Sequence, residues 1–80
     1  MQLKLYDRDG RLIQKPQITE GKKLRLPKNA RTVSLASGVL GSLVFCFYDL
    51  DYNEIRKVSG QSASIPEMAE YVLIKDEFSF

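Results

Sequence analysis

The sequence predicts an all-β domain, with eight short antiparallel strands in a jelly-roll-like sandwich or a pseudo-two-fold barrel built from two similar units. Three observations predict this fold class. Hydrophobic and polar residues alternate with the period of half-buried strands. Turn-forming residues interrupt the chain about every 8 to 12 residues, as in sandwiches and barrels. The chain also repeats itself, and a doubled strand set is typical of both architectures.

The internal repeat consists of two pairs of matching segments. LYDRDGRLI (5–13) aligns with FYDLDYNEI (47–55) at an offset of 42 residues. LRLPKNARTVSLA (24–36) aligns with ASIPEMAEYVLIK (63–75) at an offset of 39. Because the pairs occur in the same order, they predict a doubled unit of about forty residues.

The predicted organisation is a single β domain over residues 1–80, with unit 1 at about 3–36 and unit 2 at about 44–75. Alternation predicts most of the strands, and DRDG is the turn between the first two. In chain order the strands are expected near residues 2–6, 11–15, 22–26, 31–36, 42–48, 54–58, 62–65 and 70–75. Pro27 and Pro66 are expected at strand boundaries, since proline has no N–H for a ladder. A single helical turn from Pro66 to Ala69 is the alternative there.

The composition argues against an enzyme and against a membrane protein. The chain is 44% hydrophobic and 28% charged, and it has no histidine to serve as a general base. Cys46 is the only cysteine and lies in the apolar run LVFCFY, which predicts a small buried hydrophobe. No apolar run approaches the roughly 18 residues of a membrane span, and no leader pattern opens the chain. We therefore expect no catalytic residues, cofactor, membrane contact or signal peptide.

The Asp-rich hairpin FYDLDYNEI raises the question of a calcium loop. Asp49, Asp51 and Asn53 match the first three ligand positions of an EF-hand. The sixth position requires glycine and is Glu54, and the twelfth requires glutamate and is Gly60. The hairpin therefore predicts aspartates that accept local backbone N–H bonds, and no metal site.

Charge is distributed unevenly along the chain. Residues 1–40 hold nine Lys or Arg and three acids, a net of +6, whereas residues 41–80 hold three and seven, a net of −4. The predicted electrostatic contact is the stripe of Lys22, Lys23, Arg25, Lys28 and Arg31. A solvated surface, or contact between the basic half of one copy and the acidic half of another, is the alternative. Nucleic acid is not the expected partner, because most aromatic residues that would stack on bases lie in the acidic half.

The two units differ on the faces that alternation directs outward. The first unit has Gln2, Lys4, Thr32 and Ser34 where the second has Val44, Cys46, Tyr71 and Leu73. An apolar strand such as LVFCFY must be covered on both sides. The cover is expected from the C-terminal segment DEFSF with Phe78 and Phe80, from another protein, or from a ligand. The predicted interface residues are Val44, Cys46, Tyr48, Tyr71 and Leu73.

The segment FYDLDYNEI followed by SASIPEMAEYVLIK resembles small jelly-roll (carbohydrate-binding-like) β-sandwich domains of tailed-phage virion and tail proteins. The shared pattern is an aromatic-Asp hairpin, then Ile-Pro, then an alanine two residues before an aromatic-Val strand. The resemblance implies a virion component or a binding module, located in the virion or in the host cytoplasm during assembly.

Three functions follow as hypotheses. The first is a non-enzymatic phage virion structural protein, a capsid decoration or tail-associated subunit, that binds a larger virion protein or itself through the apolar face. The second is a carbohydrate-binding module in which Tyr6, Tyr48, Tyr52 and Tyr71 stack on a glycan. The third is a small intracellular phage inhibitor of a host defence protein, bound through the basic stripe.

Overall fold

The computed structural model describes residues 1–36 and 43–76, which form strands and turns and no helix. The strands are β1 (Leu3–Tyr6), β2 (Leu12–Gln14), β3 (Leu24–Arg25), β4 (Thr32–Leu35), β5 (Leu43–Tyr48), β6 (Glu54–Ser59), β7 (Ser62–Ser64) and β8 (Tyr71–Asp76). The predicted all-β class is confirmed, and each strand lies within the predicted region or one residue beyond it. The third strand is shorter than expected, with two paired residues.

The strands form two antiparallel four-stranded sheets, the architecture of a sandwich. The first sheet has the order β2-β1-β4-β7, and the second sheet has the order β3-β8-β5-β6. The strands β1 to β4 of unit 1 correspond in order to β5 to β8 of unit 2. When each strand is replaced by its counterpart in the other unit, the order of the first sheet becomes that of the second sheet read from its opposite edge. The third strand of each unit is therefore exchanged into the sheet of the other unit, which gives the predicted pseudo-two-fold arrangement.

The strand registers repeat residue by residue. Tyr6 lies opposite Thr32 in the first sheet, and Tyr48 lies opposite Tyr71 in the second. The two pairs are equivalent, because Tyr6 aligns with Tyr48 at the offset of 42 and Thr32 aligns with Tyr71 at the offset of 39. A β-bulge interrupts the pairing at the step into Tyr6 and again at the step into Tyr48. Because a bulge is a specific local distortion, its recurrence identifies one backbone design built twice.

The hairpin turns confirm the predicted role of the aspartates. Asp7 Oδ1 accepts hydrogen bonds of 2.9 Å from the backbone N–H groups two and four residues further on. Asp49 Oδ1 accepts the equivalent two bonds, also at 2.9 Å. Each carboxylate therefore satisfies backbone donors that the tight turn leaves without a ladder partner.

The two proline turns are also equivalent. Ala30 N–H donates to the Pro27 carbonyl at 3.2 Å, and Ala69 N–H donates to the Pro66 carbonyl at 3.0 Å. The chain from Pro66 to Ala69 makes this single hydrogen-bonded turn and no helix, and β8 begins at Tyr71. Proline is accommodated at the start of each turn, where no N–H is needed.

The hydrophobic core lies between the sheets. Its fully buried aliphatic and aromatic side chains are Leu3, Leu5 and Val33 from the first sheet and Phe45, Phe47, Val72 and Ile74 from the second. Burial of each such side chain stabilises the fold by about 1.5 to 3 kcal/mol. These residues alternate along their strands, so the residues between them point away from the core.

A candidate binding face on the second sheet

The outer face of the second sheet combines aromatic, basic and apolar side chains. Register places Val44, Cys46 and Tyr48 of β5 beside Lys75, Leu73 and Tyr71 of β8. β3 adds Arg25 at the edge next to Tyr71, and β6 adds Lys57 next to Cys46. The face is therefore assembled from strands of both units, because β3 is exchanged into this sheet.

Val44 and Cys46 are covered within the chain. Their exposed fractions are 8% and 0%, so neither side chain presents surface to a partner. Phe78 and Phe80, the expected cover, lie outside the described residues. The predicted interface residues that do reach the surface are Tyr48, Tyr71 and Leu73, all half-buried.

Burial also determines the chemistry of the Cys46 thiol. Loss of solvation raises its pKa above the ordinary value of 9.0, and the nearby carboxylate of Glu54 acts in the same direction. Lys75 and Lys57 lower the pKa, but burial is the larger effect. The thiol is therefore protonated at neutral pH and is a poor nucleophile.

The exposed end of this face holds a compact group that we call the tyrosine–cation cluster. Its members are Lys23, Arg25, Tyr48, Tyr52 and Tyr71. Lys23 Nζ lies 4.7 Å from the ring centroid of Tyr48 and 5.4 Å from that of Tyr52. Arg25 Cζ lies 5.2 Å from the centroid of Tyr71, and the rings of Tyr52 and Tyr71 lie 4.8 Å apart with an interplanar angle of 37°. These distances are within the range of favourable cation–π and aromatic contacts.

Arg25 is held in place by two polar contacts. Its Nη1 donates to Tyr71 Oη at 3.3 Å, and its Nη2 forms an ion pair with Glu70 Oε2 at 3.3 Å. By contrast, Lys23 forms no ion pair with any carboxylate in the described ranges. Lys23 is therefore the cation of the cluster with its charge available to a partner.

Tyr52 stands in an unfavourable backbone conformation. Its φ is 64°, in the left-handed region, and the equivalent residue of the first hairpin is Gly10 with φ 79°. For residues other than glycine, the left-handed conformation costs about 1 to 2 kcal/mol of conformational energy. Tyr52 is also 58% exposed to solvent. A hydrogen bond with Tyr71 raises the pKa of the Tyr52 hydroxyl.

The first sheet provides an internal comparison for the cluster. The positions equivalent to Lys23, Arg25, Tyr48, Tyr52 and Tyr71 are Ser62, Ser64, Tyr6, Gly10 and Thr32. Four of these residues are smaller than their counterparts and Tyr6 is the same, yet they form the same strand pairings and the same hairpin. The fold therefore does not require lysine, arginine or additional tyrosines at these positions.

The predicted basic stripe is divided by the fold. Lys23 and Arg25 join the cluster, whereas Lys28 and Arg31 lie on the Pro27 turn and Lys22 lies in the exposed turn before β3. The basic and aromatic residues, separated along the chain, are thus brought together. That nucleic acid is not the partner stays a prediction, although separation along the chain no longer supports it.

Tyr52 was predicted only as one of four glycan platforms. The repeat does distinguish Tyr52 from the other tyrosines, because Tyr52 aligns with Gly10 inside a hairpin turn. Alignment alone does not show its contact with Tyr71, because the two residues belong to different elements of the second unit.

The tyrosine–cation cluster presents aromatic rings and cations at the surface. Across residues 1–36 and 43–76, no three His, Cys, Asp or Glu side chains are placed to hold a metal ion. Nor does this part of the chain contain a helix long and apolar enough to cross a membrane. Comparisons with protein-family models, with curated proteins and with solved structures give no match for this chain.

Proposed function

We propose that this chain is a non-catalytic binding module, and that the tyrosine–cation cluster with Leu73 is the surface that docks a protein partner. The observation that supports the proposal is the difference between the two copies of the fold. In the first sheet the five positions hold two serines, a threonine, a glycine and Tyr6, whereas in the second they hold three tyrosines and two cations. A strained, exposed Tyr52 adds to this, since such strain persists mainly where function retains it.

The residue types favour a protein partner. Tyrosine and arginine are enriched among interface residues that contribute most to binding, because they offer large contact area together with a polar group. Tyr48, Tyr71 and Leu73 are half-buried, so their side chains are already ordered and lose little entropy on binding. Contacts within the cluster further restrict Tyr52 and Arg25.

Electrostatics indicates the character of that partner. Among the described residues, the outer face of the second sheet holds four cations and two carboxylates, a net of +2. They are Lys23, Arg25, Lys57 and Lys75, and Glu54 and Glu70. A partner surface with acidic groups around an apolar centre would complement this face and associate faster at low ionic strength.

The biological setting of the partner is part of the proposal. A larger virion protein is the first candidate, and a second copy of the chain is the next. The resemblance to phage virion domains is the sole basis for this setting, so capsid decoration and tail attachment stay predictions. A host protein, as in the inhibitor hypothesis, was expected to bind the basic stripe, of which Lys23 and Arg25 lie on this face.

A carbohydrate is the second candidate ligand. Three of the four proposed tyrosine platforms, Tyr48, Tyr52 and Tyr71, lie together, whereas Tyr6 belongs to the first sheet. Sugar rings stack on open aromatic faces, but Lys23 and Arg25 lie over these rings. The occupied ring faces favour a protein over a glycan.

Paired substitutions test the proposal. Tyr71→Ser with Leu73→Ser should reduce partner binding at least about tenfold while β circular dichroism is retained. The matched control is Thr32→Ala with Ser34→Ala, at the equivalent positions of the first sheet, which should bind as the unmodified chain does. Crosslinking and mass spectrometry would identify the partner, and sedimentation would measure self-association. Equal binding by both double variants would refute the assigned face, and binding of glycans alone would support the second candidate.

A further inference from the structure

We infer that the chain has a second binding site, which shares none of the five members of the tyrosine–cation cluster and adjoins it at Glu70, and which accepts a small zwitterion of the amino-acid class. The site is a pocket of about 160 Å³ between the Pro27 turn and the Pro66 turn. We call it the proline-turn pocket. It opens to solvent beside the ends of β3, β4, β7 and β8.

The pocket straddles the pseudo-two-fold axis. Its ten lining residues form five pairs related by the offset of 39, such as Leu26 with Ile65. Two equivalent backbone bonds cross between the units here: Leu26 N–H donates to the Glu70 carbonyl, and Ile65 N–H donates to the Arg31 carbonyl, both at 2.9 Å. Because these backbone groups are already paired, ligand recognition at the pocket falls to the side chains.

The pairs have the same shape but opposite charge. Lys28 is equivalent to Glu67, and Arg31 is equivalent to Glu70. Unit 1 therefore contributes the cations of the lining and unit 2 contributes the carboxylates, and we call these two sets of residues the walls of the pocket. In the described part of the chain these walls form no ion pair with each other. The ion pairs present there are Arg25 with Glu70 and Lys57 with Glu54.

This charge pattern selects a ligand with both charges. A simple anion would be attracted by one wall and repelled by the other, and a simple cation would meet the reverse. A zwitterion satisfies both walls at once, with its carboxylate toward Lys28 and Arg31 and its ammonium toward Glu67 and Glu70. Electrostatic complementarity of this kind confers specificity even where each contact is weak.

The pocket residues are positioned for that role. Arg31 Nη1 donates to the carbonyls of Lys28 and Ala30 at 3.0 Å each, which orders the guanidinium and leaves its remaining N–H groups to donate. Glu70 uses Oε2 for Arg25, which leaves Oε1 to accept a hydrogen bond from an ammonium.

The size of the pocket sets the size of the ligand. Buried Leu26 and Ala30 lie beneath it and offer an apolar floor for methylene groups. Its volume is below the roughly 300 Å³ of sites that hold drug-sized molecules. An α-amino acid or a short ω-amino acid is small enough for this volume and has methylene groups that can contact the apolar floor.

A series of simple compounds tests the inference with the intact chain. The probes are glycine, β-alanine, 4-aminobutyrate and 5-aminopentanoate, with n-butylamine and butyrate as singly charged controls. Backbone amide shifts of Lys28, Ala30, Glu67 and Ala69 report binding in two-dimensional NMR. We expect a dissociation constant on the order of a millimolar for the best zwitterion, and binding at least about tenfold weaker for the controls. Controls that bind as tightly as every zwitterion, or no shifts at about 100 mM probe, would overturn the site.

Charge reversal of one wall provides the second measurement. Lys28 and Glu67 are exposed side chains on turns, so their substitution leaves the core intact. Lys28→Glu should weaken binding of the zwitterion about tenfold and strengthen binding of n-butylamine. Glu67→Lys should also weaken binding of the zwitterion but strengthen binding of butyrate. Lys57→Glu, outside the pocket, should change neither preference. Unchanged selectivity in both wall variants would also overturn the inference, whatever the outcome for the tyrosine–cation cluster.

Discussion

Tyr52 stacks against Tyr71 with ring centroids 4.8 Å apart, although Tyr52 occupies the left-handed conformation that the other hairpin assigns to Gly10. The same turn is thus made with and without a side chain in one molecule. The glycine form is the easier one to fold, because glycine has no Cβ to clash in this region. The tyrosine form retains a ring contact at the surface, where we propose that a partner binds.

Substitution at Tyr52 separates backbone strain from the ring contact. Tyr52→Gly and Tyr52→Ala both remove the ring, but only glycine relieves the left-handed conformation. We expect Tyr52→Gly to melt about 5 °C above Tyr52→Ala, measured by circular dichroism. Both variants should lose partner binding. Equal melting temperatures would show that the backbone at residue 52 relaxes when the ring is absent.

Loss of Arg25 should weaken the attachment of β3 to the second sheet. Arg25→Gln removes an ion pair to Glu70 and a cation–π contact to Tyr71. Arg25 is 57% exposed, so we expect a decrease of about 1 kcal/mol in unfolding free energy, measured with urea. Lys28→Gln also removes one positive charge, and its unfolding free energy should stay within about 0.5 kcal/mol of that of the unmodified chain. A decrease of similar size in both variants would attribute the effect to net charge instead.

The buried Cys46 thiol should be protected from reagents in the folded protein. We expect its reaction with a disulfide reagent such as 5,5′-dithiobis(2-nitrobenzoate) to be at least about 100-fold slower than in urea. The reason is that the side chain has no exposed surface and its pKa is raised. Native and unfolded rates close to each other would contradict the burial.

The raised pKa of Cys46 also predicts a loss of stability at alkaline pH. A pKa that is higher in the folded protein contributes stability below the unfolded value, and the contribution is lost as pH rises. Stability should therefore decline above pH 9.0, the ordinary value for this thiol, and again above 10.0, since burial raises the pKa of Tyr48 as well. Urea midpoints for Cys46→Ala should lack the first decline and keep the second. An unaltered profile would assign the whole loss to the tyrosines.

Asp49 predicts the opposite dependence in acid. Backbone hydrogen bonds, chiefly from Asn53, lower the pKa of its carboxyl below the ordinary value of 3.8. Its contribution is present above 3.8 and is lost as pH falls through the lower folded value. Asp49→Asn can still accept the turn hydrogen bonds but does not titrate. It should therefore show a smaller loss of stability below pH 3.8 than the unmodified chain. Parallel acid-unfolding curves for the two proteins would contradict this assignment.

Strand positions follow closely from local sequence. β5 was expected near 42–48 and is Leu43–Tyr48, and β8 was expected near 70–75 and is Tyr71–Asp76. Alternation and turn chemistry act over a few residues, so they can be read without knowledge of the fold. The third strand, expected near 22–26, pairs over only two residues because its length depends on its distant partner β8.

The candidate site was less predictable than the strands. Val44 and Cys46 were expected at an interface because an apolar strand needs cover on both faces, and the chain itself covers them. A sequence pattern shows that cover is needed but does not show its source. Lys28 and Arg31 were grouped with Lys23, yet the Pro27 turn directs them to the proline-turn pocket.

By itself the sequence determined the strands, the Asp-centred hairpins, the proline turns and the doubling of the unit, all of which depend on short-range periodicity and turn chemistry. Only the tertiary structure decided that β3 and β7 exchange sheets. That exchange places Arg25 against Tyr71, 46 residues away, and brings Lys28 and Glu67 into the lining of one pocket. The physical reason is that alternation specifies which face of a strand is buried, whereas the choice of neighbouring strand depends on long-range packing and pairing.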